Sequence, residues 1–127
     1  MTRRAITTGS KFEILAGYSR AIVDGEWIFV SGTAGYDFSD NTISDDPAEQ
    51  TRQSLKTIAD ALAKADASLA DVVRVRVYVS DREHVMPVSR VLGETFSEPR
   101  PTNTTIVCGF AMPEMKVELE VTALKRR

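Results

Sequence analysis

Val72-Val73-Arg74-Val75-Arg76-Val77-Tyr78-Val79 reads as a strand. Its side chains alternate, so Val73, Val75, Val77 and Val79 share one face and Val72, Arg74, Arg76 and Tyr78 the other. The first set belongs in a core. The second mixes charge with apolar surface and does not.

On either side of this strand the hydrophobic period changes to that of a helix. Upstream, Asp46-Pro47-Ala48-Glu49 carries a helix start: Asp46 caps, Pro47 fits the first turn and Glu49 closes a capping box. Thr51, Leu55, Ile58 and Leu62 then line one face, so a helix is expected to about Lys64 or Ala65. Downstream, Pro87 suits a first turn, and Val88, Val91, Leu92 and Phe96 give the buried face of a helix from near Met86 to near Phe96. Pro99-Arg100-Pro101 is a rigid connector. Thr102 to Cys108 is β-branched and strand-like. Met115 to Leu124 alternates, with Val117, Leu119 and Val121 on one face and Lys116, Glu118, Glu120 and Thr122 on the other.

Nearer the N-terminus, Ala21-Ile22-Val23 and Trp27-Ile28-Phe29-Val30 are joined by Asp24-Gly25, which predicts a hairpin with a type I′ turn. Arg3 to Thr7 can add a strand. The segment from Gly35 to Glu49 is acidic and lacks an EF-hand's ligand pattern, so it reads as a surface loop. The order β, β, β, α, β, α, β, β gives one α+β domain over residues 1–127, with two helices on one face of the sheet. The other face carries Arg74, Arg76, Glu118, Glu120, Val72, Trp27 or Phe29, and Ile106 or Val107. It is too apolar for water and too charged for a core, so a further subunit is expected to complete it.

Composition excludes several functions. The 127 residues hold 16 Lys+Arg and 18 Asp+Glu, a net charge of −2 that gives no electrostatic reason to bind nucleic acid or an anionic membrane. One cysteine, Cys108, and one histidine, His84, leave no Cys/His zinc site, and no cofactor is expected. There is no apolar run of ~18 residues and no secretory signal, so a cytoplasmic location is expected. The basic ends, Arg3, Arg4, Lys125, Arg126 and Arg127, read as short solvated tails. No phosphate-cradling glycine loop occurs. Glu118 and Glu120 point the same way and can act as acid and base. An ion-pair network with Arg74 and Arg76 explains the same residues. Ser31-Gly32-Thr33-Ala34-Gly35 is either a close backbone approach or a pocket wall.

The ordered landmarks resemble the Rid/YjgF family, the reactive intermediate deaminases once labelled translation inhibitors or endoribonucleases. They are Gly17-Tyr18-Ser19, Asp24-Gly25, Ile28-Phe29-Val30-Ser31-Gly32-Thr33, Ala48 to Leu55, Asp71 to Asp81, and Val117-Glu118-Leu119-Glu120-Val121. The resemblance implies a chorismate-mutase-like fold and a homotrimer with an inner barrel. Ligand clefts for a small metabolite would lie between subunits. It also implies hydrolysis of 2-imino acids to keto acids and ammonia. A glutamate positions water there, and an arginine in Pro-Ala-Arg-Ser holds the substrate carboxylate. Carried over, Glu118 matches the glutamate, Tyr18 the tyrosine, Ser31 and Gly32 the pocket wall, and Ser89 the cleft asparagine. Pro101-Thr102-Asn103-Thr104 puts Asn103 in place of the arginine. Losing that charge costs on the order of 2–5 kcal/mol of carboxylate binding, unless Arg20, Arg90 or Arg100 replaces it. The expected protein is therefore a Rid-type hydrolase or deaminase without efficient standard activity, with Asn103, Thr104 and Ser89 as neutral partners. The alternatives are a metabolite-binding protein that has lost the chemistry and, more remotely, a ribonuclease or translation inhibitor.

Overall fold

The computed structural model describes residues 2–125; Arg126 and Arg127, read above as a tail, lie outside them. The elements are β1 (Arg3–Ile6), α1 (Lys11–Ala16), β2 (Ala21–Asp24), β3 (Trp27–Ala34), β4 (Tyr36–Asp37), β5 (Thr42–Ile43), α2 (Pro47–Ala63), β6 (Val72–Val79), α3 (Val85–Thr95), β7 (Thr102–Val107) and β8 (Val117–Leu124). Six strands form one sheet in the order β1-β2-β3-β8-β6-β7, antiparallel except for the parallel β6–β7 pair. α2 and α3 pack on one face through Leu55, Ile58, Leu62, Val88, Val91 and Leu92, against Val75, Val77, Val79, Leu119 and Val121. This is the α+β architecture expected, with the long strand β6 inside it.

Several expectations are corrected. Val72 is buried beside Ala123, because the β6–β8 register shifts between Val72 and Arg74 and leaves Val73 as the extra residue. Strict alternation therefore fails at the start of β6, and Val72 joins the core instead of the open face. The hairpin turn lies one residue later than expected. Asp24 pairs with Trp27, and of the central residues Gly25 and Glu26 only Gly25 has positive φ, the pattern of a type II′ turn. Asp46 does cap α2, accepting from the Ala48 N–H at 2.9 Å. Glu49 closes no capping box: it pairs with Arg52, and the Asp46 N–H goes to Ser44.

Two further elements had not been expected. The acidic loop contains the β4–β5 hairpin. The segment before Gly17 folds as α1, capped by Ser10 and ended by Gly17 at φ 73°. α1 inverts the usual pattern: Ile14 and Leu15 are each 83 % exposed, and Glu13 is 3 % exposed.

The face opposite α2 and α3 carries Ile22, Phe29, Thr122 and Arg74 in one row across the strands, with Glu120 and Arg76 in the next. Trp27 and Phe29 both point this way and stack at 6.2 Å. β7 is an edge strand with little cover on either side. Ile106, aligned with Tyr78, and Val107, aligned with Val79, are both about half exposed.

Candidate functional site

The site begins at an irregularity in β3. Between the pairs Val30–Val121 and Thr33–Leu119, two residues of β3, Ser31 and Gly32, face one residue of β8, Glu120. Such a bulge removes backbone groups from the ladder, and they need other partners. Here side chains supply donors to three successive carbonyls. The Thr33 hydroxyl donates to Ser31 O at 2.8 Å, Arg20 Nη1 to Gly32 O at 2.9 Å, and the Ser54 hydroxyl to Thr33 O at 2.6 Å. The Ser31 hydroxyl donates to Ser19 O at 2.6 Å, tying the bulge to the segment before β2.

Glu118 lies against this bulge. A Cβ added at Gly32 would stand 2.8 Å from Glu118 Oε1, so the carboxylate occupies space that any other residue would fill. At Gly35, an added Cβ would meet the Gln50 backbone at 2.6 Å. Both glycines thus mark close approaches, one to Glu118 and one to α2. Burial pushes the Glu118 carboxyl above its ordinary value; Arg20 pulls it back and Glu120 adds to the rise. Glu120 accepts from the Tyr78 hydroxyl at 2.8 Å, and that bond, more than burial, raises the Tyr78 phenol.

An open groove of ≈ 760 Å³ runs between α1 and the sheet. Ile14, Tyr18, Ile22, Phe29, Ser31 and Glu120 are among its walls. That volume lies in the ~300–1,000 Å³ range typical of small-molecule sites. Glu118 does not line it, but Ser31, which does, is the neighbour of the Gly32 on which Glu118 rests.

Of the residues singled out by sequence, Tyr18, Ser31, Gly32 and Glu118 gather here. The others do not join them within one chain. Ser89 is exposed on α3. Thr104 aligns with Arg76 on the open face, but Asn103 aligns with Val75 and so points to the opposite side from Glu118. Asn103 Oδ1 accepts from the Thr105 hydroxyl at 2.9 Å. Of the three candidate cations, Arg90 is exposed on α3 and Arg100 is exposed beside Glu98. Arg20 is 3 % exposed and turned toward Gly32, Thr33 and Glu13. None of the three lines the groove.

Sequence reasoning missed Gln50 and Glu13. Gln50 is fully buried; its Nε2 donates to Ser44 O and Glu114 O, and its Oε1 accepts from the Lys116 N–H. It ties α2 to the loop entering β8, two residues before Glu118. The available signal was only its place in the first turn, next to Thr51, where the buried stripe of the helix begins. Among the described residues, no three His, Cys, Asp or Glu side chains gather as a metal site, and no helix is long and apolar enough to cross a membrane.

The sequence model of the family described as Endoribonuclease L-PSP matches residues 8–125 of this chain. Among solved structures, a YjgF/YER057c/UK114 family member from Mycobacterium tuberculosis is 38% identical, with a TM-score of 0.89 over 98% of this chain and 100% of that one. A YjgF-family protein from Neisseria meningitidis is 26% identical, with a TM-score of 0.84 over 100% and 98% of the two chains. RidA from an Antarctic Psychrobacter is 23% identical, with a TM-score of 0.82 over 95% and 94%, a likeness of fold.

Proposed function

The chain belongs to the Endoribonuclease L-PSP family, the YjgF family of its solved relatives, and from that membership we propose that it is a homotrimeric hydrolase of a small C=N compound. The single observation that carries this reading is the Glu118 carboxyl, held against Gly32 and raised above its ordinary value by burial. A carboxyl so placed can take a proton from water and return it to a leaving amine. The product pair is a carbonyl compound and ammonia.

The separation of residues supports the trimer. Asn103 and Glu118 point to opposite faces of one sheet, so a single chain cannot bring them to one ligand. A neighbouring copy whose β7 edge faces Glu118 can. In that cleft Asn103 and Ser89 offer neutral hydrogen bonds where a carboxylate would want a cation. Turnover of 2-imino acids is therefore slow, and the preferred ligand is an uncharged carbonyl, amide or imine.

The test is a coupled assay. A PLP-dependent dehydratase acting on serine releases 2-imino acid into semicarbazide, and added protein competes with semicarbazone formation. Wild type should compete weakly. Asn103→Arg should raise competition about tenfold or more, since roughly 1.4 kcal/mol of recovered carboxylate binding is a factor of ten. Glu118→Gln should abolish it. No gain from Asn103→Arg in an intact trimer would sink the account of the missing arginine. Competition that persists in Glu118→Gln would leave a metabolite-binding protein with no catalytic carboxylate, a reading supported by the lack of a groove-facing cation among Arg20, Arg90 and Arg100.

A further inference from the structure

Arg20 is the one buried arginine among the described residues, and its position is unusual in four respects. Its Nη1 donates to Gly32 O at 2.9 Å and to Thr33 Oγ1 at 3.0 Å. Its Nε is buried with no hydrogen-bond partner, and Glu13 Oε2 stands 3.6 Å away. Its guanidinium carbon lies 5.6 Å from the Tyr18 ring centre and 5.9 Å from that of Phe38, within cation–π range of both. Glu13, its one ion-pair partner among the described residues, is buried in α1 and also accepts the Thr8 hydroxyl at 2.5 Å.

A buried charge is retained only where it is paired or serves a site. Glu13 pairs with the cation at 3.6 Å but takes no hydrogen bond from its Nε, so part of the charge is left for other partners. The remaining anion within its influence is Glu118, whose carboxylate rests on the glycine that Arg20 holds. We propose that Arg20 is a positioning residue for Glu118: it fixes the bulged backbone on which that carboxylate rests, and it faces the carboxylate with a positive charge shared with Glu13 of α1. α1 is thereby held by an ion pair instead of by apolar burial, which accounts for its exposed Ile14 and Leu15. The inference rests on Glu118 being the working carboxylate.

The groups around Glu118 are Arg20 from the segment before β2, Glu120 on its own strand and Tyr78 opposite it on β6, with Arg76 opposite Glu120 and Glu13 behind Arg20. The experiment is a carboxyl-detected NMR titration of the whole protein, with the Glu118 signal assigned by its loss in Glu118→Gln. In Arg20→Met the Glu118 midpoint should rise further, because an attractive charge is gone. In Glu13→Gln it should fall, because Arg20 then serves Glu118 alone. A merely structural role predicts otherwise: a disordered bulge would release Glu118 to water, and both variants would move toward the ordinary carboxylate value. A fall in Arg20→Met overturns the proposal. Should Arg20→Met fail to fold, Arg20→Gln, which keeps an N–H for Gly32 O and loses the charge, takes its place: its Glu118 midpoint should rise and a fall overturns the proposal, as does an unchanged or raised midpoint in Glu13→Gln. The midpoint is read without turnover, so a protein inactive in the coupled assay can still pass this test, and an active one can fail it.

Discussion

At the scale of the residue, Glu118 sets a conflict between stability and function. Burial disfavours its charged form, so its folded pKa lies above its unfolded value. The folded state then binds more protons than the unfolded state between those two values. The stability contribution is fully present below the unfolded pKa and is lost as pH rises through the folded one. Glu118→Gln keeps the shape of the protonated form and cannot ionise. Its melting temperature should exceed that of wild type at pH 7–8, and the gap should close toward pH 4. Calorimetric scans across that range check it; a mutant less stable than wild type at pH 8 would mean the carboxylate is held by more attraction than Arg20 supplies. Alternation along β8 together with the family resemblance was enough to single out Glu118. The role of Arg20 was not legible, because the bulge that turns it toward Gly32 leaves no periodic trace and its partner Glu13 lies in a helix without an apolar stripe.

At the scale of the element, legibility followed the strength of the local pattern. β6, α2 and α3 were readable because valine alternation, the Asp46 cap and apolar residues at helical spacing each have one cheap structural solution. α1 was not, since its six residues expose Phe12, Ile14 and Leu15 and bury a glutamate. Its flanking Ser10 and Gly17 were the only signal, and that signal is weak for so short a helix. The bulges in β3 and β6 were invisible for a different reason: they depend on register with β8, which is set by the whole sheet. Gln50 belongs to this scale because it joins elements. Gln50→Ala removes a fully buried side chain and takes the partner from the Ser44 and Glu114 carbonyls and the Lys116 N–H at the edge of the packed region. The expected loss is about 2–4 kcal/mol, from orphaned polar groups and a cavity together. Urea unfolding measures it, and amide exchange in residues 109–116 should accelerate with it. A loss below ~0.5 kcal/mol would show that the loop before β8 is anchored elsewhere, for instance by the Tyr36 hydroxyl on Glu114 at 2.7 Å.

At the scale of the whole molecule, the open sheet face and the bare edge strand β7 raise the same physical problem. Two helices cover one face of the sheet. Trp27 and Phe29 on the other face, and Ile106 and Val107 on the edge strand, are about half exposed in a single chain. Apolar side chains exposed on a sheet face, and an unpaired strand edge, are each a liability in water unless another chain covers them. Charge on the same face disfavours indiscriminate association, because Arg76 and Glu120 must meet complementary partners when they are covered. The proposed closed ring of identical copies would meet both conditions, with each β7 edge set on a neighbour's open face. Ile106→Asp tests this at a position that contributes nothing to the core cluster. Removing the apolar contact costs roughly 1.5–3 kcal/mol per copy, and the buried, unpaired carboxylate adds to that. Native mass spectrometry should show wild type as a trimer and Ile106→Asp as predominantly monomer, with the same far-ultraviolet circular dichroism. The monomer should also lose whatever competition wild type shows in the coupled assay, since Asn103 and Glu118 no longer meet. If the monomer keeps that competition, the reacting groups all belong to one chain, and the groove between α1 and the sheet is the whole site.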